Sequence, residues 1–318
     1  MKNFWNSQAK PFLVLAPMDD VTDVSFREIL HHAAAPDVYF TEFTSSDALC
    51  SEGRPHALPR LKFTKNQHPI VAQVWGKNPM NMFQTAKLVN KLGFDGIDVN
   101  MGCPDKNVVK KGSGAGLIKS FSDAELVIEA VKRGAGKIPV SVKTRLGFDR
   151  VITRDWITHL LNQQIDALTV HGRIAIDLSK YAANWEEIGK AVEIRNRLYP
   201  DTMIIGNGDI MNYSQVSNVH QKFGVDGVMI GRGIFSDPWI FEKKLEKPER
   251  STKEYLELFE MHIKLFKKTW EDSKHFAVLK RFIKMYIRSF SSANYFRQKL
   301  MDCENIDDLM RTVSRELK

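Results

Sequence analysis

The sequence predicts an α/β chain: a closed (β/α)8 TIM barrel of parallel strands, followed by a small C-terminal all-helical bundle. Three observations predict it. Short runs of mostly Val, Ile, Phe and Leu alternate eight times with helical patterns, as strands buried on both faces require. Gly93-Phe94-Asp95-Gly96-Ile97 recurs as Gly224-Val225-Asp226-Gly227-Val228, with Ile165-Asp166-Ala167-Leu168 as a weaker copy, each where a helix hands over to a strand. The Gly-x-Gly-x-x-Gly turn that an open doubly wound sheet carries after its first strand is absent, which favours closure.

The strands are expected at 12–16, 38–43, 70–75, 96–100, 140–144, 167–171, 203–206 and 227–230. Helix starts are signalled between them. Ser122-Asp123-Ala124-Glu125 and Asn184-Trp185-Glu186-Glu187 have capping-box spacing, and Asn78-Pro79 places a cap before a proline at the first helical position. After Trp239-Ile240-Phe241 the strand pattern stops. The charged stretch 243–250, with Pro248, reads as a linker, dividing a barrel of residues 1–242 from a basic helical region of residues 243–318. Ser251-Thr252-Lys253-Glu254 opens that region. Leu256, Phe259, Ile263 and Phe266 fall at helical spacing, as do Phe276, Leu279, Ile283, Tyr286 and Phe290, then Ile306, Leu309, Val313 and Leu317. Three or four helices are expected, the second one long.

With 43% apolar residues the chain can bury a proper core. No run approaches the roughly 18 apolar residues of a membrane span, and residues 1–10 lack a signal-peptide core. Cys50, Cys103 and Cys303 are odd in number and widely spaced, which excludes a disulfide framework and shows no metal-ligand spacing. A reducing cytoplasm, no metal and no membrane are expected. The net charge of +8 has one source: between residues 262 and 299 lie ten basic residues against only Glu271 and Asp272. Lys280, Lys284 and Arg288 recur every four residues there, a basic stripe on the expected second helix. A polyanionic partner follows.

The chemistry centres on Asn100-Met101-Gly102-Cys103-Pro104, which ends the apolar run Gly96-Ile97-Asp98-Val99 and holds a cysteine at a strand's C-terminal end, where barrel enzymes react. Gly112, Gly114 and Gly116 follow, able to admit close backbone contact. The plain alternative is a buried structural cysteine. Asn207-Gly208-Asp209 follows the seventh strand and Gly231-Arg232-Gly233 the eighth, the usual phosphate site of a barrel. Lys143, near the end of strand five, would be poorly solvated at the barrel mouth unless it meets an anion.

These motifs resemble the dihydrouridine synthases, flavin enzymes that reduce uridine in transfer RNA. Ala16-Pro17-Met18 with Val21-Thr22-Asp23 and Phe26-Arg27 is similar to that family's opening, and Gln73, Lys143-Thr144-Arg145 and His171-Gly172-Arg173 to its middle. In order and spacing the likeness runs from about Leu13 to Arg297.

The resemblance implies bound FMN and NADPH as reductant. Ala16, Pro17, Met18, Gln73, Lys143 and His171 would surround the flavin, and Asn207, Gly208, Asp209, Gly231 and Arg232 its phosphate. Asn100, Arg145, Arg173 and Tyr181 would hold a flipped-out uracil, with Lys143 and His171 within reach of it. Lys280, Lys284 and Arg288 would contact tRNA phosphates, and a monomer is expected. Reducing the C5–C6 bond of uracil needs a hydride at one carbon and a proton at the other. A thiol with an ordinary pKa of about 8.5 is protonated at neutral pH, so Cys103 suits the proton donor. No Cys-His pair marks it as a nucleophile.

The sequence departs from the family pattern in one place. Where the family reads Tyr-x-Gly-x-Ala-Asp-Trp, this chain has Tyr181-Ala182-Ala183-Asn184-Trp185, compressed and without the glycine and aspartate. The alternatives are a flavin barrel acting on a free small molecule, as a dihydroorotate dehydrogenase does, reduction of uridine in another RNA such as ribosomal RNA, or a non-enzymatic RNA-binding protein. The basic tail opposes the first, and the set of Cys103, Lys143 and phosphate loops opposes the last.

Overall fold

A computed structural model describes residues 3–288 and 292–317; Phe290, assigned above to the second helical pattern, lies outside them. Nine parallel strands form the sheet: β1 (Phe12–Leu15), β2 (Tyr39–Phe40), β3 (Thr44–Ser45), β4 (Ile70–Trp75), β5 (Gly96–Met101), β6 (Val140–Arg145), β7 (Ala167–His171), β8 (Met203–Asn207) and β9 (Gly227–Ile230). Consecutive strands pair from β4 to β9, β9 pairs β1, and β4 pairs β2. The ring closes through a bridge between Val14 and Val38, with Leu15 N–H donating to Val38 O at 3.0 Å. The expected barrel is therefore present.

The expected second strand, 38–43, is broken into β2 and β3. The cause is local. Thr41 hydroxyl donates to Glu42 O at 2.9 Å and accepts from Gln73 N–H at 3.1 Å, so a side chain takes the place of a ladder bond.

Side chains alternate across each strand, and the apolar residues accordingly separate into two clusters. Leu13, Leu15, Val74, Val99, Val142, Val170 and Val228 face the surrounding helices. Phe12, Val14, Phe40, Val71, Ala167, Ile205 and Met229 fill the barrel, with Trp5 packed against Phe12 and Phe40. Continuing that inward parity to the C-terminal strand ends gives Ala16, Gln73, Asn100, Lys143, His171, Asn207 and Gly231. These are the residues singled out from sequence.

The Gly-x-Asp echo has a structural role at the opposite end. Asp95, Asp166 and Asp226 each accept an N–H from the first two residues of the preceding strand, from Ile70, Val140 and Ile204, at 2.7 Å. Asp37 does the same for Leu13 at 2.6 Å, a fourth copy that the sequence pattern hid. Each carboxylate satisfies a donor that the start of a ladder leaves open.

Helix starts at Asn78, Asn184 and Ser251 are capped as expected, the last by a full capping box. The helix Phe121–Ala135 is capped by Ser120, two residues before the expected Ser122. The presumed linker is strapped down: Lys247 ammonium donates to Asp237 and to Trp239 O, both at 2.7 Å, and Arg250 pairs with Glu242.

The helical tail opens with Thr252–Trp270, whose face carrying Phe259, Ile263 and Phe266 is buried. It packs on the barrel helix Val24–Ala34, where Phe26 meets Phe282 and His262 at ring separations of 4.6 and 5.5 Å. The expected long second helix is absent. The 3-10 stretch Phe276–Phe282 gives way to one α-turn, Ile283–Tyr286, and the helices Ala293–Met301 and Ile306–Glu316 follow.

His262 is fully buried and accepts from, or donates to, Tyr286 hydroxyl at 3.1 Å. Burial lowers its pKa to about 4. An unfolded chain therefore binds a proton between roughly pH 6.5 and 4 that the folded chain refuses, so stability falls as pH drops through that window. His262 should account for roughly 3 kcal/mol of the loss. Thermal unfolding from pH 7 to 4 checks this: in His262→Gln the pH dependence should flatten relative to wild type.

Candidate active site at the barrel mouth

A cavity of about 500 Å³ opens at the C-terminal end of the barrel, lined by residues following β1, β6, β7, β8 and β9. Ala16, Pro17, Met18, Lys143, Arg145, His171, Arg173, Asn207, Gly208, Asp209, Gly231, Arg232 and Gly233 all face it, together with Ile210, Met211, Met229 and Ser236, which sequence reasoning had not singled out. A larger cavity of about 820 Å³ lies among Ile152, Thr153, Glu187 and Ile194, outside the barrel and away from these groups.

The wall is cationic. His171 is held well below its ordinary pKa by burial, then by Lys143, Arg145, Arg173 and Arg232 around it. Arg173 donates to His171 Nε2 at 3.0 Å, which leaves the imidazole proton on Nδ1. Arg173, only 5% exposed, also donates to both oxygens of Asp209 at 2.7 and 2.6 Å and to Tyr181 O at 2.5 Å. Asp209 adopts a left-handed backbone, φ 55°, and accepts in addition from Ala183 N–H at 2.8 Å and from Arg232 at 3.3 Å. Its carboxyl is consequently held below the usual range despite partial burial. Gly208 is obligatory here: φ is 137°, and a Cβ would stand 2.4 Å from that of Ala183.

The compressed segment Tyr181–Trp185 therefore touches the mouth directly, through Ala183 N–H, Tyr181 O and the Trp185 indole donating to Gly208 O at 3.1 Å. Tyr181 itself is 66% exposed and does not line the cavity.

The Lys143 ammonium carries no hydrogen bond to any described residue, while its backbone is paired in the sheet. Burial and the neighbouring Arg145 lower its pKa to about 8, while Asp98 and Cys103 oppose the shift. Arg145, lowered to about 10 chiefly by burial, donates to Gly102 O at 2.8 Å and to Ile174 and Leu178 O at 3.1 Å. In this structure it ties the β5 and β7 loops together.

Two expected ligand contacts are instead engaged inside the protein. Gln73 does not line the cavity; its amide donates to Asp98 at 2.8 Å and accepts from Asn100 at 2.8 Å. Asn100 in turn accepts from Gly102 N–H at 3.1 Å and Cys103 N–H at 2.8 Å. Both amides belong to the inward-facing set of their strands, where polar groups must pair, and they pair with each other and with Asp98.

Cys103 follows β5, with its backbone carbonyl accepting from Ala115 N–H at 2.9 Å. Gly114, at φ 56°, lets the loop close over it; a Cβ there would lie 2.8 Å from Cys103 O. Burial pushes the thiol pKa up, against the fields of Arg145 and Lys143 and a hydrogen bond from the Asp105 backbone. The thiol is thus protonated at neutral pH, close enough to Lys143 and Arg145 to feel their charge. All three cysteines are free.

The basic stripe is not a stripe. Lys280 donates to Met301 and Cys303 O at 2.6 and 2.8 Å, closing the end of a helix, and Arg288 donates to Met285 O at 2.9 Å and Phe235 O at 2.6 Å. The 3-10 stretch ends at Phe282 and the α-turn at Tyr286, so Lys280, Lys284 and Arg288 do not share one helix face. Lys284 is exposed, as are Lys268 and Lys299, and none of the three pairs with a described residue. Near the mouth, Asp19, Asp20 and Glu42 approach within 4.8 Å of one another, but Arg60, Lys274 and Arg281 neutralise them. Among the described residues no helix is long and apolar enough to cross a membrane.

Fold and site together define a parallel β/α-barrel with a cationic mouth and a protonated thiol on its rim. The family model for dihydrouridine synthase (Dus) matches residues 14–318, and the chain belongs to that family. It is 44% identical to a "Probable tRNA-dihydrouridine synthase" of Staphylococcus aureus strain Mu50, over 96% of this chain and 93% of that protein. It is 43% identical to "Probable tRNA-dihydrouridine synthase 2" of Bacillus subtilis strain 168, over 97% and 94%. Among solved structures, a variant of NCR from Zymomonas mobilis superposes with a TM-score of 0.51 at 17% identity, covering 75% of this chain and 89% of that one. Histamine dehydrogenase from Rhizobium sp. 4-9 gives 0.56 at 15% identity, covering 81% and 49%. Those two likenesses concern the fold.

Proposed function

We propose that this chain is a tRNA-dihydrouridine synthase that reduces the C5–C6 double bond of uridine with FMN, using NADPH as reductant and Cys103 as proton donor to C5. The observation that carries this reading is a half-buried, protonated thiol on the loop after β5, close enough to feel Lys143 and Arg145, two of the four cations on the wall of the mouth. The names of the relatives support tRNA as the substrate. Three unpaired thiols suit a reducing cytoplasm, where we expect a monomer.

The mouth fits a flavin mononucleotide. The Lys143 ammonium lacks a partner, and the surplus of Lys143, Arg145, Arg173 and Arg232 over Asp209 calls for an anion. The turn Arg232–Phe235 begins at the mouth, and its first N–H groups have no partner within the turn, as suits a phosphate. Reduced FMN would supply the hydride to C6 of the base. Lys143 would stabilise negative charge beside the ring, and neutral His171 would hydrogen-bond through Nδ1–H. Cys103 would give its proton to C5 from the opposite face and regain one from solvent. Arg145 and Arg173 would border the base while keeping their loops in place. The purified protein should carry non-covalent FMN, and RNA from a strain lacking it should lose dihydrouridine at defined positions. A colourless protein that binds no added FMN, or an unchanged dihydrouridine map, refutes the reading.

For the tail, exposed and unpaired Lys268, Lys284 and Lys299 are our phosphate contacts in place of the stripe Lys280, Lys284 and Arg288. Changing these three to Glu should weaken tRNA binding and flatten its salt dependence, since each lost phosphate contact removes counterion release. FMN content should be unchanged. Lys280→Glu and Arg288→Glu should instead lower the melting temperature, because both side chains hold backbone carbonyls. Filter binding at several salt concentrations, with thermal melts alongside, checks both halves.

A further inference from the structure

Beneath the mouth, the carboxylate of Asp98 is wholly buried inside the barrel. One oxygen accepts from Ser141 hydroxyl at 2.6 Å and the other from Gln73 Nε2 at 2.8 Å. An ionised carboxylate only accepts. Gln73 must therefore turn its NH2 toward Asp98 and its carbonyl oxygen toward Asn100, whose Nδ2 donates to it at 2.8 Å. Asn100 must then turn its own oxygen outward, where Cys103 and Gly102 N–H groups donate to it. An amide alone can bond in either of two orientations, and a chain of two amides has no inherent direction. Asp98 supplies one.

We propose that Asp98 is a positioning residue: through the Gln73 and Asn100 amides it fixes the backbone of Cys103 and so the place of the thiol. The inference rests on Cys103 being the proton donor. It makes Asp98 part of the chemistry without touching substrate. The charge also lies beneath Lys143, whose field it opposes in the barrel interior. A carboxylate within a buried strand is an outlier that the architecture keeps for a reason, since burial raises its pKa to about 6 and works against its charge.

Asp98→Asn keeps the size and removes the direction of the chain. With the holoenzyme, kcat on tRNA should fall tenfold or more while KM for tRNA holds. Alkylation by iodoacetamide, followed peptide by peptide in the mass spectrometer, should change several-fold at Cys103 and not at exposed Cys50. Adding Gln73→Glu moves the carboxylate one position along: the amide introduced by Asp98→Asn can donate to the new carboxylate, which can also accept from Asn100. That double variant should recover most of the kcat and the wild-type Cys103 alkylation rate. Wild-type kcat and alkylation in Asp98→Asn, or a double variant no better than the single, overturns the proposal. If Asp98→Asn yields no folded protein, Ser141→Ala takes its place: it removes one of the two bonds holding Asp98 and must lower kcat several-fold at constant KM, and an unchanged kcat overturns the proposal. Cys103→Ala in the wild-type background separates the two failures. If that variant stays active the thiol is not the donor, while the alkylation readout still tests whether Asp98 places it.

Discussion

Cys103→Ala is expected to abolish most dihydrouridine formation, by ~10²–10⁴-fold, the worth of a well-placed general acid. The thiol is raised above its ordinary pKa by burial, so it holds its proton throughout the neutral range. The alanine variant lacks that proton but keeps every group lining the cavity, because Cys103 is not among them. It should therefore still bind FMN and still show NADPH-dependent bleaching of the flavin absorbance. Stopped-flow absorbance and dihydrouridine mapping on the same preparation separate the two half-reactions. Loss of both together would make Cys103 a folding residue, and wild-type turnover would remove its role.

Lys143→Met should cost ~10²–10³-fold in reduction of the base, comparable to removing one electrostatic contact from a preorganised site. The pH dependence carries a signature. With a pKa of about 8, Lys143 is a cation below that value and neutral above it. Wild-type activity should therefore begin to fall near pH 8, before the thiol of Cys103 loses its proton. The methionine variant has no such charge to lose. The ratio of wild-type to variant rate should be largest near pH 7 and shrink by pH 9. A ratio constant across that range would place the charge of Lys143 outside the reaction.

The barrel was readable because buried parallel strands leave uninterrupted β-branched runs, and eight of them alternated with capped helices. What failed were features decided by side chains from far away. Thr41 broke the second strand by bonding to Gln73, thirty-two positions distant. The tail's second helix read as periodic because Phe276, Leu279, Ile283 and Tyr286 are all at least partly buried, yet a 3-10 stretch also places apolar residues on one side. Its basic residues looked like a stripe for the same reason, and spacing could not reveal the carbonyls of Phe235, Met301 and Cys303 that engage them.

At the site, motif order brought the residues to one mouth, but not their depth. Gln73 and Asn100 share the inward parity of Lys143 and His171, yet their amides are used inside. Asp98 was missed outright, although a charged residue two positions before Asn100 in an otherwise apolar run was a visible signal. The Asp37 copy of the strand-start device escaped notice because Ala35-Pro36 precedes it, with neither the glycine of the Asp95 and Asp226 copies nor the isoleucine of the Asp166 copy.

The floor of the barrel bears on how the chain is made. Trp5 packs beneath Phe12 and Phe40, Asn3 bonds Asp166 at 2.6 Å and Lys10 pairs with Asp226 at 2.6 Å. Asp166 and Asp226 emerge from the ribosome roughly 160 to 215 residues after the residues they hold. This N-terminal segment is thus made well before the strands that hold it, and Phe12–Leu15 must wait for β9 before its ladder is complete. During that interval Trp5 and β1 stand exposed together, apolar surface that only the completed ring can cover.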